Sequence, residues 1–181
     1  MRKYAKLAVK TGVNIKKGQG CLITAEVEQA EFVRLVEEEA YRAGAKWVMV
    51  DWRDQPSTKL KYRHESLTTL SKVEKWEEVR QQYIVDSLPA MIHIMSSDPD
   101  GLKGVNVEKM QKSSMARTGV LKKYRDAMEN LNQWTIVAVP GKKWAKKVFP
   151  ELRTSAAVER LWNEILKTVR VDADNDPVKA W

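Results

Sequence analysis

Side chains that commonly perform catalysis are scarce in this chain of 181 residues, which contains two histidines and one cysteine. His93 lies within an apolar stretch, where a core histidine is more common than a metal ligand, and His64 lies in a charged helical stretch. Cys21 opens another apolar stretch and is interpreted as a small core residue, because a nucleophilic thiol needs a neighbouring base. The sequence has no His-Glu-x-x-His pattern, and one cysteine cannot build a thiolate zinc cluster. We therefore expect no catalytic residues, metal ligands or cofactor in this chain.

Two groups of carboxylates have spacings that could suit a metal ion. The sequence Asp-Pro-Asp-Gly at 98–101 is more typical of a turn after a strand, because these are turn-forming residues. Asp172, Asp174 and Asp176 alternate as in a calcium-binding loop, but the following glycine and the distal glutamate of such a loop are missing. We interpret the first group as a turn and the second as part of a linker.

The charge of the chain raises the question of nucleic-acid binding, since the formal net charge is +8 and the isoelectric point is near 9.5. The lysines are spread along the sequence and mixed with carboxylates, which favours solvated helix faces and makes nucleic acid an unlikely partner. The sequence has no apolar run long enough to cross a membrane and no signal-peptide pattern. We therefore expect a cytoplasmic protein with no membrane partner.

Hydrophobic runs predict the elements that must position any functional side chain. Four runs of six or seven residues predict β-strands, and their continuous apolar character predicts burial on both faces, as in parallel sheets. Helical patterns lie between them and include an apolar stripe near the C-terminus. The predicted strands span residues 21–27, 47–52, 90–96 and 134–140, and the main predicted helices span 28–43, 67–87, 106–129 and 156–169. We predict an α/β fold, a three-layer doubly wound architecture with a mostly parallel sheet of about four to five strands flanked by helices.

The carboxyl ends of the predicted strands are the expected place for a ligand, because open α/β sheets bind ligands there. The loops predicted at these ends carry ionisable and aromatic side chains. We expect them to form a substrate-facing rim that contains Arg53, Ser96, Asp98, Lys143 and Trp144. The tryptophans at 47, 134 and 162 lie within predicted strands or helices and are instead interpreted as core residues.

Several stretches of the chain resemble, in order, the aminopeptidase T, aminopeptidase S and PepS family of metallopeptidases. The resemblance covers residues 3–23, 31–52 and 96–110, and continues in the sequences WTIVAVPGKKWAKKVFPE (134–151) and RVDADNDPVKAW (170–181). It therefore extends over nearly the whole chain.

The resemblance implies a function that these residues do not perform alone. Members of the family are roughly twice as long and remove N-terminal amino acids from peptides. Their two divalent metal ions, zinc or cobalt, are bound by a C-terminal domain. Residues 1–170 would then be an N-terminal α/β domain that helps to shape or cover the active site and supports assembly, in a parent protein expected to be a homodimer. Residues 171–181 would begin the linker to a C-terminal catalytic domain, and the isolated chain would be inactive.

An alternative is a free-standing α/β domain with a binding or regulatory role. Its basic surface and the tryptophans Trp52 and Trp144 could bind a peptide, an acidic ligand or nucleic acid. A salt-dependent affinity for nucleic acid would favour that version.

Overall fold

The computed structural model describes residues 1–172 and 174–181, which divide into two compact units. We describe each unit by itself. The first consists of Met1–Arg53, Pro89–Pro99 and Gln133–Trp181. The second consists of Asp54–Leu88 and Asp100–Asn132.

The first unit contains a four-stranded sheet. Its strands are β1 Gly20–Glu26, β2 Trp47–Arg53, β3 Ala90–Met95 and β4 Trp134–Ala138. Their order in the sheet is β2-β1-β3-β4, and each pair of neighbours is parallel. The prediction of an α/β fold with a mostly parallel sheet is therefore confirmed, with four strands that are all parallel.

Helices alternate with these strands along the chain, and each of the four main predicted helical spans contains helix. The helices are α1 Arg2–Leu7, α2 Ala30–Arg42, α3 Gln55–His64, α4 Leu67–Ser71, α5 Lys75–Ser87, α6 Val107–Asp126, α7 Lys142–Val148, α8 Thr154–Thr168 and α9 Pro177–Ala180. Helices α3 to α6 belong to the second unit, and the others belong to the first. Across the described parts of the chain, no helix is both long and apolar enough to span a bilayer.

The predicted helix at 67–87 consists of two helices, because the sequence contains two helix starts. The hydroxyl of Ser66 accepts a hydrogen bond from the Thr69 backbone N–H at the start of α4. Glu74 and Glu77 then form a capping box at the start of α5, in which each side chain caps the other residue's backbone N–H. Three residues separate the end of α4 from the start of α5, and an apolar pattern alone does not reveal this break.

The core of the first unit lies on one face of the sheet, where Cys21, Ile23 and Ile92 are fully buried among helical side chains. The rings of Tyr4, Phe32 and Trp162 contact one another at centroid distances of 5.5 to 6.4 Å. These aromatic rings join α1, α2 and α8 into one packed layer. The interpretation of Cys21 as a core residue is confirmed, and Trp162 packs against the core as expected.

The prediction that the strands are buried on both faces is confirmed for β1, where all seven residues are buried. The same prediction is wrong for β4. Trp134 is 64% exposed and Ile136 is 58% exposed. Both side chains project from the same face of β4, because successive side chains alternate between faces, while Val137 on the opposite face is buried. The interpretation of Trp134 as a core residue is therefore wrong.

The C-terminal segment folds back onto the first helix. The ammonium group of Lys3 donates hydrogen bonds to the backbone carbonyls of Asp172 and Asn175, at 2.9 and 2.7 Å. Lys6 lies 3.5 Å from the carboxylate of Asp176, and the indole N–H of Trp181 donates to the carbonyl of Val169. These contacts tie the described part of 171–181 to the first unit, and its role as an interdomain linker stays a prediction.

Candidate functional site

The sheet order creates one crevice at its carboxyl edge. After β1 the chain crosses to β2 on one side, and β3 then pairs with the other side of β1. The connections that follow β1 and β3 therefore leave in opposite directions, which is the topological switch point where open α/β sheets bind ligands. The backbone that follows β4 reaches the same edge at Pro140 and Gly141, so three connections define the candidate site.

A hydrogen bond joins the two sides of this crevice. The ladder between β1 and β3 ends at the pair Thr24 and His93. Beyond it, the hydroxyl of Ser97 donates a 2.8 Å hydrogen bond to Oε1 of Glu26. Glu26 is only 8% exposed, so this bond supplies a partner to a carboxylate that has little contact with water. This bonded pair places polar groups between the ends of β1 and β3.

Ser96, one of the predicted rim residues, is buried and does not face the solvent. It is 1% exposed, and its hydroxyl has no hydrogen-bond partner among the residues that the structure describes. Its carbonyl oxygen lies so close to Gly141 that a Cβ atom there would be 2.0 Å away. The backbone of residue 141 can therefore approach β3 only because it is glycine. Ser96 contributes its backbone to the crevice, and not an exposed hydroxyl.

Two of the predicted rim residues, Asp98 and Lys143, lie close enough to form an ion pair. Oδ2 of Asp98 lies 3.6 Å from the ammonium nitrogen of Lys143, whose side chain is 80% exposed. Residues 140–144 were expected to form a loop, but α7 begins at Lys142 and carries both Lys143 and Trp144. Trp144 is half-buried and packs against the buried core residues of the unit, and its place on a substrate-facing rim stays a prediction.

Glu28 is a carboxylate in the same crevice whose protonation is affected by its surroundings. Burial raises the pKa of Glu28 above its ordinary value, and the charge of Glu26 adds to this effect. The positive charge of Lys142 and hydrogen bonds from the Gln29 side chain and the Lys142 backbone oppose it. The amide of Gln29 also donates to the Pro140 carbonyl at 3.1 Å. Glu28 and Gln29 thus connect the turn after β1 to the start of α7.

His93 lies on β3 near the same edge, in surroundings that disfavour a positive charge on its ring. His93 is half-buried on β3, and its pKa is lowered first by burial and then by the positive charge of Arg53. A guanidinium group so placed opposes both protonation and the binding of a cation. Arg53 is itself exposed at the last position of β2, in register with Glu26.

Among the described residues, this edge shows neither a hydroxyl bonded to a base nor a cluster of metal-binding side chains. No hydrogen bond there joins a histidine to Ser96 or Ser97, so neither hydroxyl has the base that a nucleophile requires. No group of three His, Cys, Asp or Glu side chains among residues 1–172 and 174–181 is arranged to hold a metal ion. The arrangement suits hydrogen bonding and charge pairing with a bound molecule.

Comparison with known proteins places this fold in a family. The whole chain, residues 1–181, matches the family model described as thermophilic metalloprotease (M29). The chain belongs to this family. The predicted resemblance to the aminopeptidase T, aminopeptidase S and PepS group is therefore confirmed.

Three relatives of the chain are considerably longer than it is. Aminopeptidase PepS of Streptococcus thermophilus is 36% identical over 183 residues, and aminopeptidase AmpS of Bacillus subtilis (strain 168) is 37% identical over 179 residues. The structure of wild-type AmpT from Thermus thermophilus superposes with a TM-score of 0.82 at 34% identity, and covers 91% of this chain. The chain spans 44%, 43% and 42% of these three proteins, so it corresponds to less than half of each.

The rim predicted from the sequence includes only some of the residues that the structure brings together at this edge of the sheet, and its functional role stays a prediction. The predicted rim includes Asp98 and Lys143, which do meet there, but it does not include Glu26, Ser97 or Gly141. The dipeptide Pro140-Gly141 at the end of a predicted strand was the available signal for a close backbone approach. The pairing of Ser97 with Glu26 left no local signal, because the two residues are 71 positions apart.

Proposed function

We propose that this chain is the N-terminal, non-catalytic domain of a metal-dependent aminopeptidase, which releases N-terminal amino acids from peptides. The observation that carries the proposal is the length relationship: the chain corresponds to the first 44% or so of relatives that are named aminopeptidases. A C-terminal domain of the same protein would supply the reaction centre. Peptide substrates, a homodimeric parent and a cytoplasmic location belong to the same proposal.

The metal ions of the parent would be held elsewhere than in this chain. The family is described as a metalloprotease family, yet the donor set near the switch point does not fit a metal centre. Glu26 is bonded to Ser97, Asp98 pairs with Lys143, and His93 lies in the field of Arg53. We therefore assign no step of hydrolysis to these residues, and two divalent ions such as zinc or cobalt would be bound by the C-terminal domain.

The role that the geometry supports for this chain is to shape the approach to the active site. The exposed cations Arg53 and Lys143 lie at the carboxyl edge of the sheet, where they could pair with carboxylate or carbonyl groups of a peptide. Asp98 holds Lys143 toward the crevice, and the close contact between Gly141 and Ser96 holds the start of α7. Trp144 supports this helix from the core side.

Hydrolysis assays with two proteins test the proposal. The first is the purified 181-residue chain, and the second is a chimera in which it replaces the matching part of Bacillus subtilis AmpS. Both are incubated with a panel of aminoacyl chromogenic substrates, with and without zinc or cobalt, beside unmodified AmpS. We expect no turnover by the chain alone and metal-dependent turnover by the chimera.

Two results would contradict the proposal. Metal-dependent turnover by the purified chain would show that it is catalytic by itself, and His93 and Asp98 would be the first positions to mutate. A chimera that folds and binds metal like AmpS but stays inactive would show that the chain cannot serve as the N-terminal part of such an enzyme.

A further inference from the structure

The second unit contains a cavity of its own, with a volume of about 400 Å³. One side is formed by α6, which contributes Arg117, Lys122 and Arg125 together with hydroxyl-bearing side chains. Tyr62 of α3 and Gln81 of α5 also contribute, so three helices of the same unit border it. The cavity is open to solvent, because Ser114, Thr118, Lys122 and Arg125 are exposed. The volume lies at the lower end of the range for pockets that bind small molecules.

The lining of the cavity is positively charged. Its described residues include three cations and no carboxylate. Lys122 pairs with Asp126 outside the lining, but both side chains are largely exposed, so this pair is weakly held and exchangeable. Arg117 is fixed at the wall by a salt bridge to Glu77 and a hydrogen bond to the carbonyl of Lys72. The cavity therefore has an excess of positive charge with one pre-positioned guanidinium group.

Several hydrogen-bond donors of the cavity have no acceptor among the described residues and are left to solvent or a ligand. The guanidinium group of Arg125, the amide of Gln81 and the hydroxyls of Ser114 and Thr118 make no side-chain hydrogen bond to another described residue. Ser114, Thr118 and Arg125 lie on one face of α6, because they follow one another at intervals of four and seven residues. Gln81 adds an amide from α5, so the donors approach from more than one direction.

Donors in this arrangement match the chemistry of a phosphate group. Guanidinium and hydroxyl donors form their strongest hydrogen bonds with anionic oxygens. A tetrahedral phosphate presents oxygens in several directions, whereas the two oxygens of a carboxylate lie in one plane. We propose that this cavity binds the phosphate group of a small molecule, with Arg125 and Lys122 as its charge partners and Ser114, Thr118 and Gln81 as neutral donors.

The lining of the cavity belongs entirely to the second unit and shares no residue with the candidate site of the first. The proposal does not depend on peptidase activity. Its test can therefore fail or succeed whatever the outcome of the hydrolysis assays.

Titration of the 181-residue chain with sodium phosphate, at constant ionic strength set with sodium chloride, tests the proposal. The readout is the set of backbone amide and arginine Nε–H signals in nitrogen–proton correlation spectra. We expect saturable shifts of the Arg125 and Arg117 side-chain signals and of the Ser114 and Thr118 amides. The variant Arg125→Gln should weaken phosphate binding at least tenfold, since it removes an unpaired charge from the cavity.

Arg63→Gln is the matched control, because Arg63 is an exposed residue of α3 outside the cavity lining. It should bind phosphate within twofold of the unaltered chain. A second variant, Lys122→Gln, gives an independent readout if Arg125→Gln lowers the thermal midpoint. Equal affinity of Arg125→Gln, Lys122→Gln and Arg63→Gln would overturn the proposal, as would shifts that never saturate.

Separate titrations distinguish the possible ligands. Glycerol phosphate that binds more tightly than inorganic phosphate would indicate a phosphate ester, whereas the reverse order would indicate free phosphate. Either result supports the site. Acetate that competes as well as phosphate would overturn the assignment to a phosphate group.

Discussion

The hydroxyl of Ser97 donates a 2.8 Å hydrogen bond to Oε1 of Glu26 and so joins the ends of β3 and β1 across the switch point. The parallel ladder between these strands has already ended at Thr24 and His93. The side-chain bond therefore continues the connection where backbone pairing stops. It links a nearly buried carboxylate to the segment that carries Asp98.

Loss of this bond should destabilise the first unit. Ser97→Ala leaves the Glu26 carboxylate without its hydroxyl donor, and we expect a loss of about 1–3 kcal/mol in the free energy of unfolding. Urea denaturation followed by circular dichroism measures it. The control is Ser155→Ala, whose exposed hydroxyl makes no described hydrogen bond. Equal midpoints for the two variants would show that the bond contributes nothing.

Two glycines should respond to alanine in opposite directions. At Gly141 a Cβ atom would lie 2.0 Å from the carbonyl oxygen of Ser96, so Gly141→Ala should destabilise the chain by about 1–3 kcal/mol. At Gly119, within α6, a Cβ atom would meet nothing within 4 Å. Gly119→Ala should therefore stabilise the chain by about 0.5–1 kcal/mol. Thermal unfolding of both variants checks the pair, and a shift of the same sign in both would contradict the geometry.

Stability should fall in alkaline solution. Burial, followed by the charge of Glu37, raises the pKa of Cys21 from 9.0 to about 12. Burial also raises the pKa of Tyr4 from 10.0 to about 12, against the opposing effect of its hydrogen bond from the Ala138 backbone. Between these values the unfolded chain has lost protons that the folded chain retains, so the free energy of unfolding decreases as pH rises above 9.

Denaturation midpoints measured from pH 7 to pH 11 test this effect. Cys21→Ala removes one of the two groups, so its stability should fall less steeply above pH 9 than that of the unaltered chain. The stability of Tyr4→Phe should likewise fall less steeply than that of the unaltered chain, mainly at the upper end of this pH range. Parallel curves for all three proteins would refute the assignment.

The rim should affect substrate binding more than stability. The ion pair between Lys143 and Asp98 is exposed on the lysine side, so Lys143→Ala should change the free energy of unfolding by less than about 1 kcal/mol. In the chimera with AmpS, the same substitution and Arg53→Ala should raise KM several-fold with little change in kcat. Lys10→Ala is the control, because Lys10 is exposed in the helical turn after α1. An unchanged KM in both rim variants would remove the rim from the proposed function.

The contacts of the C-terminal segment predict where local opening begins. Lys3→Ala removes two hydrogen bonds to backbone carbonyls near the C-terminus. We expect faster amide hydrogen exchange at residues 174–181 with an unchanged thermal midpoint, because the core does not depend on these bonds. Lys17→Ala provides the comparison, and unchanged exchange in the Lys3 variant would show that other contacts hold the segment.

The sequence by itself determined the order of the elements, the parallel character of the sheet and the family. These properties follow from local patterns: four short apolar runs separated by helical stretches leave few alternatives, and the matched stretches run through the whole chain. The single cysteine within the first run was interpreted correctly for the same reason. Residues close in sequence report reliably on the element that contains them.

Only the tertiary structure decided which faces are covered and which side chains meet. The run 134–140 is as apolar as the run 21–27, yet β4 exposes Trp134 and Ile136 on one face, whereas β1 is buried on both. Trp144 packs partly against the core because α7 begins at Lys142, where the sequence predicted a loop. The bond between Ser97 and Glu26, and the donors collected by α3, α5 and α6, depend on contacts between distant parts of the chain. Such contacts arise from the packing of whole elements, which local sequence patterns do not encode.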